Sequence, residues 1–343
     1  MGAGESKLEV TNPTPFVDHE DAITAMCISD DNSLLVTTSD DKTARMWVVN
    51  EPKTECLGVL KGHTEYITCV ATHDTFVLTG SADDTIRKWD MSTCECLEIY
   101  RGHTSRVFRL ICTDDWIFST SYDATARAWL FDTSDLDEEE EACGHAKAVL
   151  PIVFIPGENE SDVNDEGINP GDVVITASVD GTARSWSFET AGCLKIFKGH
   201  KGPISCMTVD EEGKILYTGC MDNTIRSWNI ATGRTLKVTG IPYSKFSKES
   251  SFIKAPKIMN PGTEESFTVF EGHENGIVCL QMSKTILYSG STDGTARAWV
   301  AEFADCTRVY KGHKHTVTSL KYKNGIHIDV HGRGADGKGW NHF

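Results

Sequence analysis

The sequence predicts an all-β fold built from small, repeated four-stranded sheets. Three observations predict it: a short text that recurs along the chain, a histidine ahead of each copy, and strand-period alternation between these landmarks. "STDGTARAW" at 291–299 returns as "SVDGTARSW" at 178–186 and "SYDATARAW" at 121–129. A period of roughly 40 residues marks an array of small units and not one conventional enzyme core.

Aligned on Asp-x-Thr-x-Arg-x-Trp, the chain gives six copies, starting at Asp41, Asp83, Asp123, Asp180, Asp222 and Asp293 and ending at Trp47, Trp89, Trp129, Trp186, Trp228 and Trp299. A hydroxyl stands four residues before each Asp: Thr37, Thr79, Ser119, Thr176, Thr218 and Ser289. Upstream of these stand His63, His103, His145, His200 and His273, each after glycine, with His19 after Asp18 as the variant and His313 opening a seventh unit. In the second unit "YITCVAT" follows His63, "FVLTGS" precedes Asp83, "TIRKWD" follows it and "CLEIYRG" leads to the next histidine. Each run is strand-length, and the Asp- and Gly-bearing joints read as tight turns. Four such strands cannot hold together alone, so each sheet must stack on its neighbours.

The recurring types fit one polar network. An imidazole can bridge a strand hydroxyl and a carboxylate while an indole N–H finds its acceptor in the same group. A hydrolytic triad uses similar residues, but no enzyme needs six copies, and "G-x-S-x-G" is missing from the sequence. The expectation is a structural network and a non-catalytic protein.

In the combination "GH...SADDTIRKWD" and "GH...SYDATARAW" the chain resembles the WD-repeat family, from about Lys7 to Tyr322. The resemblance implies a β-propeller, here of seven four-stranded blades. It also implies that "KLEVTNPTPFVD" supplies the outer strand of the last blade. The seventh repeat starts as "GHKHTVTSLKYKNG" and then departs into "IHIDVHGRGADGKGWNHF", so the last blade is expected to be degenerate or incomplete. The organisation expected is a flexible N-terminus at 1–7 and one propeller domain at 8–343, carrying an acidic loop at 132–142 and insertions at 156–171 and 240–264.

A formal net charge of -17 argues against nucleic acid, because phosphate binding needs clustered Lys and Arg in excess. No apolar run reaches the roughly 20 residues of a spanning helix. Four cysteines, Cys56, Cys96, Cys193 and Cys306, stand seven residues before a Gly-His histidine and three, Cys69, Cys206 and Cys279, six after one, which is repeat periodicity and not pairing. With no zinc-type Cys-x-x-Cys and no secretory signal, a reducing, cytoplasmic setting without disulfides is expected, and neither cofactor nor metal. "GRGADGKG" lacks the Ser or Thr of a phosphate loop, and the tail histidines match no ligand spacing. "MGAGES" fits an N-myristoylation signal with Gly2 as acceptor, so peripheral membrane residence is expected only if Gly2 is acylated.

The family resemblance implies scaffolding: propeller faces that bind other proteins or peptides. On the face bearing the Asp turns, the exposed positions are the residue before each Asp and those three and five after each His. There Tyr66, Arg106, Phe108 and Tyr122 concentrate large side chains in the second and third repeats, the types enriched where binding energy collects. A phosphopeptide receptor of a ubiquitin ligase is the alternative, but it needs several convergent arginines and only Arg106 qualifies.

Overall fold

The computed structural model describes residues 19–48, 55–131, 141–142, 144–157, 168–235, 269–323 and 326–331. Gly2, the expected N-terminal outer strand, most of the two acidic stretches, the 240–264 insertion and the final glycine-rich tail lie outside the described residues.

All the described elements are strands. They form six four-stranded antiparallel sheets, at 23–61, 67–100, 107–142, 149–198, 204–270 and 277–310, followed by one two-stranded sheet of Val317–Lys323 and Ile326–His331. The second sheet is representative: Ile67–His73, Phe76–Ser81, Ile86–Asp90 and Cys96–Tyr100 pair in chain order. The first strand of each sheet packs beside the first strand of the next, from Ile23–Ile28 through to Val317–Lys323, so the sheets fan out from a line of inner strands as propeller blades do.

The core is divided among the gaps between sheets. One cluster joins Val36, Ala44, Met46 and Leu60 of the first sheet to Ile67, Val77 and Trp89 of the second. The next joins Leu78, Ile86 and Tyr100 to Val107, Ile117 and Trp129. The pattern repeats to the sixth sheet, each gap receiving the motif tryptophan of the later sheet. The last gap, where Tyr288 and Ala296 meet Val317 and Leu320, has none, because the seventh repeat carries no such tryptophan. Burying apolar area between neighbours is what makes sheets of this size stable.

The turn between second and third strands explains Asp-x-Thr. In the second sheet Asp83 Oδ1 accepts from the Thr85 N–H at 3.1 Å and the Thr85 hydroxyl at 2.6 Å. The residue between them is left-handed in each copy: φ is 70° at Lys42, 66° at Asp84, 74° at Ala124, 82° at Gly181, 70° at Asn223 and 76° at Gly294. The glycine before the motif histidine at Gly62, Gly144, Gly199 and Gly272 has a packing reason too. A Cβ on Gly62 would meet Arg87 Nη1 at 2.7 Å and the Trp89 ring at 3.0 Å. At Gly312, ahead of a repeat without the Asp-x-Thr-x-Arg-x-Trp motif, the same construction meets nothing within 4 Å.

Two loop boundaries differ from expectation. The acidic stretch 132–142 is not loop to its end, because Glu141–Ala142 pairs with the third strand of its sheet, Ala126 opposite Ala142 and Arg127 opposite Glu141. The third strand otherwise would leave an unpaired edge. The insertion at 156–171 is likewise not all surface: Ile168 and Asn169 are buried. Asp172 fastens its two ends, accepting from the Gly157 N–H at 2.8 Å and the Asn169 N–H at 3.1 Å. The insertion at 240–264 falls between Ile225–Asn229 and the two-residue outer strand Val269–Phe270 of the fifth sheet.

Candidate functional site

The structure brings each predicted His, hydroxyl, Asp and Trp set together in all six complete sheets. Histidine Nδ1 lies 2.7–3.1 Å from the Asp Oδ2, and Nε2 lies 2.7–3.0 Å from the Ser or Thr hydroxyl. The tryptophan Nε1–H donates to that same hydroxyl at 2.7–2.8 Å. Only one assignment of protons satisfies every partner: indole to hydroxyl, hydroxyl to Nε2, Nδ1–H to carboxylate. The backbone N–H after each histidine, as at Thr64, also donates to the Asp. The histidine is then neutral and the carboxylate ionised.

The electrostatics agree with that assignment. Burial pushes these carboxyls up, but hydrogen bonds from the motif threonine and the histidine outweigh it, and Asp41, Asp180 and Asp293 are lowered to about 2. Asp83, Asp123 and Asp222 are held well below the ordinary carboxylate range by the same balance. Burial lowers His145, His200 and His273 against the opposing pull of their Asp partners. Within these networks each imidazole nitrogen and the shared hydroxyl are committed to other members of the set, so these side chains act in holding strands.

The fifth sheet places His200, Cys220 and Asp222 ligand atoms within 4.8 Å of one another. Cys220 stands where other sheets carry Ser39, Ser81, Ser121, Ser178 and Ser291. Its thiol does the work of that serine, donating to the Gly202 carbonyl at 3.2 Å and accepting from the Asp222 N–H at 3.3 Å. Burial pushes the thiol up to about 12, and both nitrogens of His200 are taken. The grouping is inherited from the repeat and is a poor donor set for a cation.

The four face residues singled out from the sequence also meet. Arg106 Nη1 donates to the Tyr66 hydroxyl at 2.9 Å. The guanidinium lies over the Tyr122 ring at 3.6 Å, and the Phe108 and Tyr122 rings are 5.8 Å apart. Tyr122 is 38 % exposed. The backbone sets this up, since the Tyr122 N–H donates to the Arg106 carbonyl at 3.2 Å and the Ala82 N–H to the Tyr66 carbonyl at 2.9 Å. Tyr66, Arg106 and Tyr122 border an open depression of about 550 Å³, closed by Glu65, Ala82, Asp84, Thr104 and Ser105. Phe108 is not on its wall and supports Tyr122 from the side. The sequence reading missed Glu65 and Asp84, which stand two after His63 and one after Asp83, each beside a position that was read.

Sheets of this topology, each closed by a His, hydroxyl, Asp and Trp network, match the family described as WD domain, G-beta repeat over residues 11–48, 54–90, 94–129, 191–229 and 264–299, more than half the chain. The chain belongs to the WD-repeat family. The blade at 149–198 escapes the match up to residue 190, where the insertion stretches the repeat, yet it keeps the full network. Among curated WD-repeat relatives, mitochondrial division protein 1 of Mycosarcoma maydis is 23% identical over 336 residues, 90% of this chain and 38% of the relative. The protein of the same name in Schizosaccharomyces pombe is 40% identical over 76 residues, 22% of this chain and 11% of the relative. WD repeat-containing protein pop1 of that organism is 25% identical over 173 residues, 44% of this chain and 22% of the relative. The chain therefore spans well under half the length of these relatives.

Proposed function

We propose that this WD-repeat protein is a non-catalytic scaffold that binds another protein or peptide through the blade face bearing the Asp turns. The observation that carries this is the Tyr66, Arg106 and Tyr122 assembly beside an open depression: large side chains ordered by contacts to one another and left accessible. Preordered aromatic and arginine groups lose little entropy on docking. The phosphopeptide reading fares worse here, because Arg106 shares its depression with the carboxylates of Glu65 and Asp84.

We also propose a resemblance to WD repeat-containing protein 86 on "CLEIYRGHTSRVFRL", "STSYDATARAW" and the start "MGAGES", on which the scaffold reading does not depend. Acylation at Gly2, a cytoplasmic or peripheral membrane location, and the domain bounds at 1–7 and 8–343 belong to the same proposal. None of the described residues forms a helix long and apolar enough to cross a membrane.

The test is affinity capture with wild-type protein and an Arg106→Glu, Tyr122→Ala double variant, both shown to be folded by circular dichroism and thermal melting. Specific partners should be lost from the folded variant. An unchanged partner set would remove this face from the function.

A further inference from the structure

The chemistry of the depression is asymmetric, and Asp84 is the reason. It follows the motif Asp83 in the left-handed turn position, where its carboxylate borders the cavity. Among the described residues it forms neither a hydrogen bond nor an ion pair. Glu65, which also lines the depression, is approached by Lys42 Nζ at 3.7 Å. Asp84 instead has the ionised Asp83 and Asp123 behind it. Partial burial first, and then these two charges, raise its pKa, with His103 opposing. A carboxylate in that position is stabilised by any cation that arrives.

The arginine that lines the depression is already engaged. Arg106 is held by the Tyr66 hydroxyl and stacked on Tyr122. A guanidinium fixed flat on a ring keeps outward N–H groups for a neutral acceptor such as a peptide carbonyl. The cavity, about 550 Å³, is within the roughly 300–1,000 Å³ range of ordinary binding sites. The net charge of -17 adds a long-range field that draws basic segments toward it.

We infer that the depression between the second and third blades receives a basic side chain of a partner protein: the Lys or Arg cation sits against Asp84 and Glu65, its stem along Tyr66 and Tyr122, and Arg106 holds a carbonyl of the same segment. This rests on the scaffold reading and specifies its ligand. Neither an acidic nor a phosphorylated segment fits, because its charge would face Asp84 and Glu65 with one engaged arginine in compensation.

Full-length protein is applied to positional-scanning nonapeptide pools whose central residue is fixed as Lys, Arg, Leu, Glu or phosphoserine within mixed flanks. The Lys and Arg pools should retain at least about tenfold more protein than the Glu and phosphoserine pools, and raised salt should erode the difference. Asp84→Lys should abolish that preference without unfolding the chain, since Lys42 occupies the same left-handed position in the first blade. Asp114→Lys, at the opposite end of the third blade with a side chain 95% exposed, should leave it intact. Equal retention in all pools, preference for Glu or phosphoserine, or a preference that survives Asp84→Lys overturns the inference. So does preference that emerges only when 240–264, which carries Lys245, Lys248, Lys254 and Lys257, is replaced by a Gly-Ser linker, since the chain's own lysines are then the occupant. If partner capture is lost in the Arg106→Glu, Tyr122→Ala variant while the pools show no basic preference, the scaffold reading stands and the basic ligand falls. If neither capture nor the pools respond to any variant, both fall.

Discussion

Thr79→Val isolates what the repeated hydroxyl contributes. The Thr79 hydroxyl accepts from Trp89 Nε1–H at 2.8 Å and lies 2.7 Å from His63 Nε2. Thr79 is 0% exposed, Trp89 1% and His63 6%, so no water can replace the lost oxygen. Valine keeps the branching and leaves two orphans, an indole donor and an imidazole acceptor, each costing about 1–3 kcal/mol. The sum is about 2–6 kcal/mol, which in a chain of this size lowers the melting midpoint by about 3–8 °C. Ser227→Ala is the matched control: it too is buried, at 1% exposure, but its hydroxyl has no hydrogen-bond partner among the described residues. Removing that oxygen should leave the midpoint unchanged or raise it. Both variants are measured by thermal unfolding at pH 7.5 under one scan rate. The reasoning fails if Thr79→Val melts no lower than Ser227→Ala.

Acid should destabilise the protein in two stages. His145, His200 and His273 have lowered folded pKa values, so their contribution is complete above the unfolded value near 6.5 and is lost as pH falls below it. Asp41, Asp180 and Asp293, lowered to about 2, hold theirs down to roughly pH 4 and lose it as pH falls toward 2. Melting midpoints at pH 7.5, 5.5, 3.5 and 2.5 should therefore fall progressively, and a midpoint that rises on acidification contradicts the network. Gly80→Ala should cost about 1–3 kcal/mol, because the new Cβ would meet Cys69 Sγ and Val107 Cγ1, each at 2.7 Å, and a companion Cys69→Ala should return part of the loss in a chemical melt. Ala124→Gly, at a φ of 74°, should raise stability by about 0.5–1 kcal/mol in the same assay by relieving a left-handed alanine.

The sequence by itself determined the repeating unit and its chemistry. Asp-x-Thr dictates a turn that only one or two backbone shapes satisfy, and a histidine flanked by a hydroxyl, a carboxylate and an indole has one proton arrangement that leaves nothing unpaired, so six copies at matching positions announce both the sheet and its network. The candidate face residues were legible for the same reason: a fixed register puts Tyr66, Arg106 and Tyr122 at known places on each blade. What only tertiary structure decided is how neighbouring blades meet. Arg106 belongs to the third blade and Tyr66 to the second, and their 2.9 Å hydrogen bond depends on the rotation between two sheets, which no spacing within one repeat encodes. Glu65 and Asp84 of the second blade line the same depression as Arg106 and Tyr122 of the third, and packing against the third blade buries Ile168 at the end of a stretch whose neighbouring charges read as solvated loop. Local pattern carries the hydrogen bonds that a chain makes with itself across a turn; the packing of one blade on the next, settled by side chains far apart in sequence, shapes the surface that a partner would meet.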